Sequence, residues 1–286
     1  MTRIPDLIAA GRTLSFEFFP PKTAAGAAEL DAALQELAVL RPSFISVTYG
    51  ALGSTRANTR DLVIGFNQRH PFPAMPHLTC VGQSRAELHE LLEAYQRSGI
   101  ENVLALAGDP PADGSPSEGE FTFATELIEL VREVGDFSVG VAAFPELHPR
   151  SPDRATDRRH LADKLCAADF GLTQFFFEVE HYVRLVDELD ALGCTTPLIA
   201  GVMPFVSVPG VRRMAAMNGT HLPDELQVRL DEVDGDPDAV RALGVEVATE
   251  LCGQLLDLGV PGLHLYALNR AGSIKAIHAQ LDLSAG

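Results

Sequence analysis

SRAELHELLEAYQRSGIENVLAL (84–106) is one helix followed by one strand, and the rest of the chain repeats that pattern. Ser84 and Glu87 stand at the spacing of a capping box, in which a hydroxyl and a carboxylate satisfy the free N–H groups of a helix start. Leu88, Leu91, Leu92 and Tyr95 recur at helical spacing and make one apolar face. Gly99 supplies a stop, because it tolerates the left-handed backbone that ends helices. Asn102-Val103-Leu104-Ala105-Leu106 then reads as a short strand. Its apolar residues are consecutive rather than alternating, as in a strand buried on both faces of a parallel sheet.

Working outward, similar apolar segments lie near 13–19, 43–49, 75–80, 137–143, 171–177, 197–203 and 262–267, with helical segments between them. Eight strand–helix repeats predict an α/β chain folded as a single (βα)8 TIM barrel over residues 1–286. Two stretches exceed the minimal repeat. Residues 108–120 are rich in Gly, Pro, Asp and Ser and predict a long loop after strand four. Residues 204–261 have room for at least two helices between strands seven and eight, with a break at Asp234-Gly235-Asp236-Pro237.

The 286 residues are 46% hydrophobic and 21% charged, ordinary globular material. A net charge of −17 argues against a nucleic-acid partner. No apolar run is long enough for a membrane span, and the N-terminus lacks the apolar core of a signal peptide, so a cytoplasmic location is expected. Cys80, Cys166, Cys194 and Cys252 are scattered without metal-ligand spacing, so neither a disulfide framework nor a metal site is expected. Cys80 reads as a small buried hydrophobe. Arg150, Arg154, Arg158, Arg159 and Lys164 offer a cationic patch for anionic ligands, or else a solvated helix face.

One apolar strand holds a carboxylate. In Ser15-Phe16-Glu17-Phe18-Phe19-Pro20-Pro21-Lys22-Thr23, Glu17 lies among aromatic residues. Burial disfavours the charged form, so its proton affinity is expected to be raised, as a general acid requires. The alternative is a buried glutamate satisfied by an arginine or by backbone donors.

SFEFFPPKT resembles the opening signature of the methylenetetrahydrofolate reductases. The resemblance continues through SVTYGA (46–51), PHLTC (76–80), LALAGDPP (104–111), AAFPELHP (142–149), LTQFFFE (172–178) and LYALNRA (265–271), in the family's order. It implies a (βα)8 barrel and the reduction of 5,10-methylenetetrahydrofolate to 5-methyltetrahydrofolate by NADH or NADPH. Larger members carry a regulatory domain after the barrel, which this chain is expected to lack. The implied partners are small molecules, a folate and a nicotinamide nucleotide.

By the same resemblance, Glu17 matches the general acid and Asp109 the carboxylate beside the pterin. Gln174, Phe176 and Arg270 match substrate-binding positions. Thr48, His77, His148, Asp157 and Lys164 match positions that hold FAD in most members. Asp109, Gln174 and His77 have plainer roles open to them. Asp109 sits in Gly108-Asp109-Pro110-Pro111, good turn chemistry. Gln174 suits a buried amide bonded to backbone, and His77 a core histidine with both nitrogens satisfied.

Three flavin-contacting positions depart from the family pattern. Ala107 stands where an arginine against the flavin pyrophosphate is common. Phe144 and Phe123 stand where tyrosines are common. A lost guanidinium–phosphate contact forfeits roughly 1.5–3 kcal/mol, and each lost hydroxyl removes a hydrogen bond. No glycine-rich phosphate loop replaces them. The balance favours absence of FAD and direct hydride transfer from nicotinamide. An ordinary FAD relay, a silent folate-binding homologue, and a barrel lyase or aldolase are the competing readings.

Overall fold

A computed structural model describes residues 2–49, 53–108, 119–281 and 283, and for 53–58 it describes the backbone alone. Eight parallel strands close in sequence order: β1 (Thr13–Phe18), β2 (Phe44–Val47), β3 (Ala74–Thr79), β4 (Asn102–Leu106), β5 (Ser138–Ala143), β6 (Phe170–Thr173), β7 (Leu198–Val202) and β8 (Gly262–Tyr266). Closure pairs β1 with β8, bringing Ser15 beside His264 and Glu17 beside Tyr266.

A helix precedes β1 and others follow the strands. They are α1 (Ile4–Ala10), α2 (Ala24–Ala38), α3 (Gly53–Arg69), α4 (Arg85–Arg97), α5 (Ala124–Val134), α6 (Arg154–Cys166), α7 (Val179–Ala191), α8 (Val208–Asn218), α9 (Asp224–Val233), α10 (Pro237–Asp257) and α11 (Gly272–Leu281). The α4 unit matches its sequence reading. Ser84 Oγ accepts from the Glu87 N–H, and the Glu87 carboxylate accepts from the Ser84 N–H. Leu88, Leu92 and Tyr95 are buried, Leu91 partly so, and Gly99 has φ +74°. The break at 234–237 also stands: Asp236 caps α10 by accepting from the Asp238 and Ala239 N–H groups.

Outward-facing strand residues such as Phe16, Phe18, Val47, Leu78, Val103, Val141 and Leu265 pack under the helices. A second, smaller cluster fills the barrel interior, where Phe44, Met75, Leu104, Phe170, Leu172 and Ile199 meet Ile4 of α1. The Ile4 N–H donates to Asn102 Oδ1 at 2.8 Å, so α1 plugs the N-terminal end. Room there is tight. A Cβ at Gly140 would lie 2.5 Å from the Phe170 ring, so only glycine fits at that point of β5.

β6 ends at Thr173, which corrects the expected strand over 171–177. Gln174 therefore sits one residue beyond the strand, its N–H donating to Ala143 O at 2.7 Å. The FFFE run after it is apolar because it packs, not because it continues the sheet. Asp109 and most of the loop after β4 lie outside the described residues.

Candidate active site

The C-terminal half of the barrel interior is polar. Ser15 and Glu17 come from β1, Ser46 from β2, His77 from β3, and His264 and Tyr266 from β8, so these four neighbouring strands supply one cluster. Glu17 is only 5% exposed. Its Oε2 lies 3.3 Å from His264 Nε2 and 3.4 Å from His77 Nε2. His264 is fully buried, stacked on Phe44 with ring centres 6.0 Å apart, and it fixes the cluster to the apolar layer beneath.

The hydrogen bonds limit where protons reside. Ser15 Oγ lies 2.8 Å from His264 Nδ1 and 3.3 Å from Leu263 O, and its one proton serves one of the two, so the tautomer of His264 sets the direction of the shorter bond. His264 Nε2 lies 3.3 Å from both Ser46 Oγ and Glu17 Oε2. An Nε2–H on His264 donates to the Glu17 carboxylate while Nδ1 accepts from Ser15 Oγ, so a neutral imidazole suffices to support an ionised Glu17.

The expected rise in Glu17 proton affinity is not found. Burial does push the carboxyl up and is the largest single influence. His77, His264 and a Ser46 hydrogen bond together outweigh it and hold Glu17 below its ordinary value. The aromatic neighbours visible in sequence point outward into the helical shell, whereas the side of the strand bearing Glu17 meets imidazoles. His77 moves down as well, chiefly because burial disfavours its charged form. Its Nε2 makes no hydrogen bond despite the proximity of Glu17, so it is not a core histidine with both nitrogens satisfied.

Gln174 is held at the rim. Its Oε1 accepts from Tyr266 Oη at 3.4 Å and from Asn218 Nδ2 at 3.3 Å. The Tyr266 hydroxyl also reaches Thr173 O at 3.2 Å, and burial raises its pKa well above the usual phenol value. The single phenol proton goes to Thr173 O or to Gln174 Oε1 and not to both, so Asn218 is the independent donor to that amide oxygen. Thr48 follows β2, its N–H bonded to Phe18 O. The loops after β1 and β8 are clamped by Asn269, which accepts from the Phe19 N–H at 2.8 Å and donates to Phe19 O at 2.9 Å. Leu268 and Asn269 hold left-handed φ values of 51° and 57°, a strained pair that this two-point clamp stabilises. Arg270 follows, exposed at the same rim.

Other expected positions lie apart from this cluster. Phe176 is 1% exposed and stacks on Tyr182 of α7. Asp157 accepts from the His148 N–H at 3.2 Å and Ser151 Oγ at 2.6 Å. His148 Nδ1 accepts from the Arg150 N–H, and its ring meets Phe144 edge-on. Lys164 donates to Ala142 O at 2.6 Å, and burial lowers its pKa to about 8.

The cationic patch also divides. Arg158 is spent on Glu188 and the carbonyls of Phe144, Pro145 and Glu146, and Arg154 on Glu188 and Glu146 O. Arg150 and Arg159 stay exposed. An FAD pyrophosphate needs uncommitted cations. Arg154, Arg158 and Lys164 are committed internally, which leaves Arg150 and Arg159 as the exposed cations of this patch.

His264, Tyr266 and Ser46 escaped the sequence reading. A signal was present in Gly262-Leu263-His264-Leu265-Tyr266, where polar side chains alternate with leucine at period two. It marked one face of β8 as functional, but not that this face closes against Glu17.

Fold and site together define a (βα)8 barrel with a buried carboxylate–imidazole cluster at its C-terminal mouth. The family profile described as Methylenetetrahydrofolate reductase matches residues 3–282. A 5,10-methylenetetrahydrofolate reductase of Pectobacterium carotovorum is 36% identical over 265 residues, covering 92% of this chain and 88% of the relative. That of Escherichia coli is 35% identical over 275 residues, covering 96% and 92%. Methylenetetrahydrofolate reductase (NADH) 1 of Zea mays is 34% identical, covering 98% of this chain and 50% of its own length. The chain belongs to the methylenetetrahydrofolate reductase family and is an oxidoreductase.

Among solved structures, an uncharacterized protein from Clostridium thermocellum, described as binding two copies of 5-methyl-5,6,7,8-tetrahydrofolic acid, superposes with a TM-score of 0.66. It covers 96% of each chain at 15% identity, a likeness of fold alone. Among the described residues no helix is long and apolar enough to cross a membrane.

Proposed function

We propose that this reductase converts 5,10-methylenetetrahydrofolate to 5-methyltetrahydrofolate with NADH, hydride passing directly from the nicotinamide to the folate. Protonation of N10 by Glu17 breaks the bond between N10 and the bridging carbon and leaves an N5 iminium. Hydride from the nicotinamide C4 then adds to that carbon, giving the methyl group and NAD⁺. One proton from solvent balances the reaction. The observation that carries this reading is the buried Glu17 carboxylate at the barrel mouth, 3.3 Å from His264 Nε2 and 3.4 Å from His77 Nε2. Bound folate excludes water from Glu17 and favours its protonated form over the ionised form held in the empty cleft.

Gln174 binds the pterin edge through its amide N–H₂, and Arg270 contacts the folate at the rim. Asp109 stabilises the developing cation. Thr48 and His77 face the nicotinamide. NADH is favoured over NADPH by the name of the maize relative and by the lack of a recognisable site for a ribose phosphate. The internal commitment of Arg154, Arg158 and Lys164, with Ala107 where the family commonly has arginine, supports the direct route. Direct transfer requires the two carbons in near-attack contact, roughly 3–3.5 Å apart.

The test is an absorbance spectrum of the purified protein followed by kinetics without added flavin. A colourless protein whose initial-rate lines intersect is expected. Stoichiometric FAD with parallel lines overturns the direct route and leaves an FAD relay. Asp109→Asn should weaken folate reduction more than NADH binding measured by direct titration. Equal losses would assign Asp109 to the turn.

A further inference from the structure

A second group of titratable side chains lies on the same rim, away from Glu17. Glu178 precedes α7, His181 is in its first turn, and His221 lies between α8 and α9. Glu178 occupies the N-cap position of α7, yet its side chain makes no capping bond. Its Oε2 instead lies 3.3 Å from His181 Nε2 and 3.1 Å from His221 Nδ1. The three ligand atoms are all within 4.8 Å of one another. Glu146, after β5, borders them. Its Oε2 accepts from the His221 N–H at 2.7 Å. Its Oε1 is buried with no hydrogen-bond partner, 3.9 Å from His181 Nε2.

We propose that Glu178, His181 and His221 form a divalent metal site suited to Zn²⁺, with Glu146 Oε1 accepting a hydrogen bond from a metal-bound water. Zn–N and Zn–O bonds of about 2.0–2.2 Å in tetrahedral geometry place ligand atoms roughly 3.3–3.5 Å apart. The two contacts to Glu178 nearly match that spacing, so small rotations admit the ion. Two imidazoles favour zinc-like ions over Mg²⁺ or Ca²⁺, which take oxygen ligands. Three protein ligands leave a fourth position for water, and that water gives the orphaned Glu146 Oε1 its missing donor. A dication also offsets the two neighbouring carboxylates.

The ligands come from two connections. Around His221, Asn218 bonds Gln174, and Thr220 Oγ1 donates to Phe175 O at 3.3 Å. Metal would therefore fasten the α8–α9 connection to the segment after β6 beside Gln174. This follows from the side-chain geometry and does not depend on the reaction proposed above.

The experiment is calorimetric titration of ZnCl₂ into the full chain after removal of metal by chelator, with neither folate nor nicotinamide present. One equivalent is expected to bind and to raise the melting temperature. His181→Gln and His221→Gln should each lose more than the roughly 10–100-fold typical of an outer partner, and Glu146→Gln should lose about that much. His89→Gln, on exposed α4, should bind as wild type. His221 is exposed on a connection, so its variant remains an informative folded protein, verified by circular dichroism. No uptake by wild type, or uptake unchanged in the folded His221→Gln protein, overturns the proposal. The second outcome identifies an adventitious surface ion.

Discussion

The two ends of the barrel interior differ although the same strands build both. At the N-terminal floor, Phe44 and Met75 meet Phe170, Ile199 and Ile4 in a sealed apolar layer. Two residues further along β2 and β3, Ser46 and His77 replace that chemistry with hydroxyl and imidazole. The polar change is confined to β8, β1, β2 and β3. On β6, Leu172 remains apolar one step above Phe170. The floor gains free energy from burying hydrocarbon. The mouth places polar groups out of water and stabilises them only through one another. Stability is thus concentrated at one end and reactivity at the other, as barrel architecture permits.

A crossed pair of substitutions can break this division. Glu17→Gln keeps shape and removes the transferable proton. Methylenetetrahydrofolate turnover should fall by roughly 10²–10⁴, the usual contribution of a general acid. Its urea midpoint should fall, because the ionised carboxylate's contacts with His77 and His264 are lost, but by less than that of the floor variant below. A rate close to wild type would remove Glu17 from the mechanism and leave the mouth without its acid.

Phe170→Ala tests the opposite end. Loss of a fully buried ring should destabilise the protein by about 3–5 kcal/mol. Below the unfolding transition, the folded fraction should retain the wild-type KM for folate. A large change in KM without loss of stability would show that floor and mouth are not separable.

The smallest expected effect concerns pH. His77 and Glu17 both have folded pKa values below their ordinary ones. Each therefore binds more protons in the unfolded chain over its own window, so stability rises with pH there. Stability should be fullest above the ordinary histidine value of about 6.5 and fall on acidification, first through the His77 window and then below about 4.3 through that of Glu17. Urea titrations should show a shallower slope for His77→Gln just below pH 6.5 than for wild type. Equal slopes would mean that His77 accepts a proton in the fold as readily as in the open chain.

Much of this architecture was legible along the chain. Consecutive apolar residues in 102–106 and the capping signal at Ser84 gave one unit correctly, and its repetition gave the barrel. Gly235 and Asp236 marked the helix break because their local chemistry suffices to stop and restart a helix. Strand β6 was overextended because an apolar run reads alike whether it forms sheet or packs under a helix, and Phe176, read as part of that strand, packs against Tyr182 beyond it. Helix α1 was not anticipated, since its role depends on Asn102 and the barrel floor. Of the site, Glu17 was visible as a charge in an apolar strand. His264 was not, because it faces Glu17 across a junction joining residues 247 positions apart.

The sequence alone determined the strand–helix period, the position of an acid near the end of the first strand, and the family to which its ordered motifs belong. These are local signals carried by propensity, capping and spacing. Tertiary structure decided the protonation of that acid. Burial among the neighbouring phenylalanines suggested elevation, but barrel closure set two imidazoles against Glu17, and their electrostatics outweigh its desolvation. It also decided which cations remain available, since Arg158 and Lys164 look alike in sequence to a phosphate-binding pair and are consumed by carboxylates and carbonyls in the fold. Both outcomes depend on distances between strands remote in the chain, and electrostatic and hydrogen-bond energies are set by those distances rather than by sequence order.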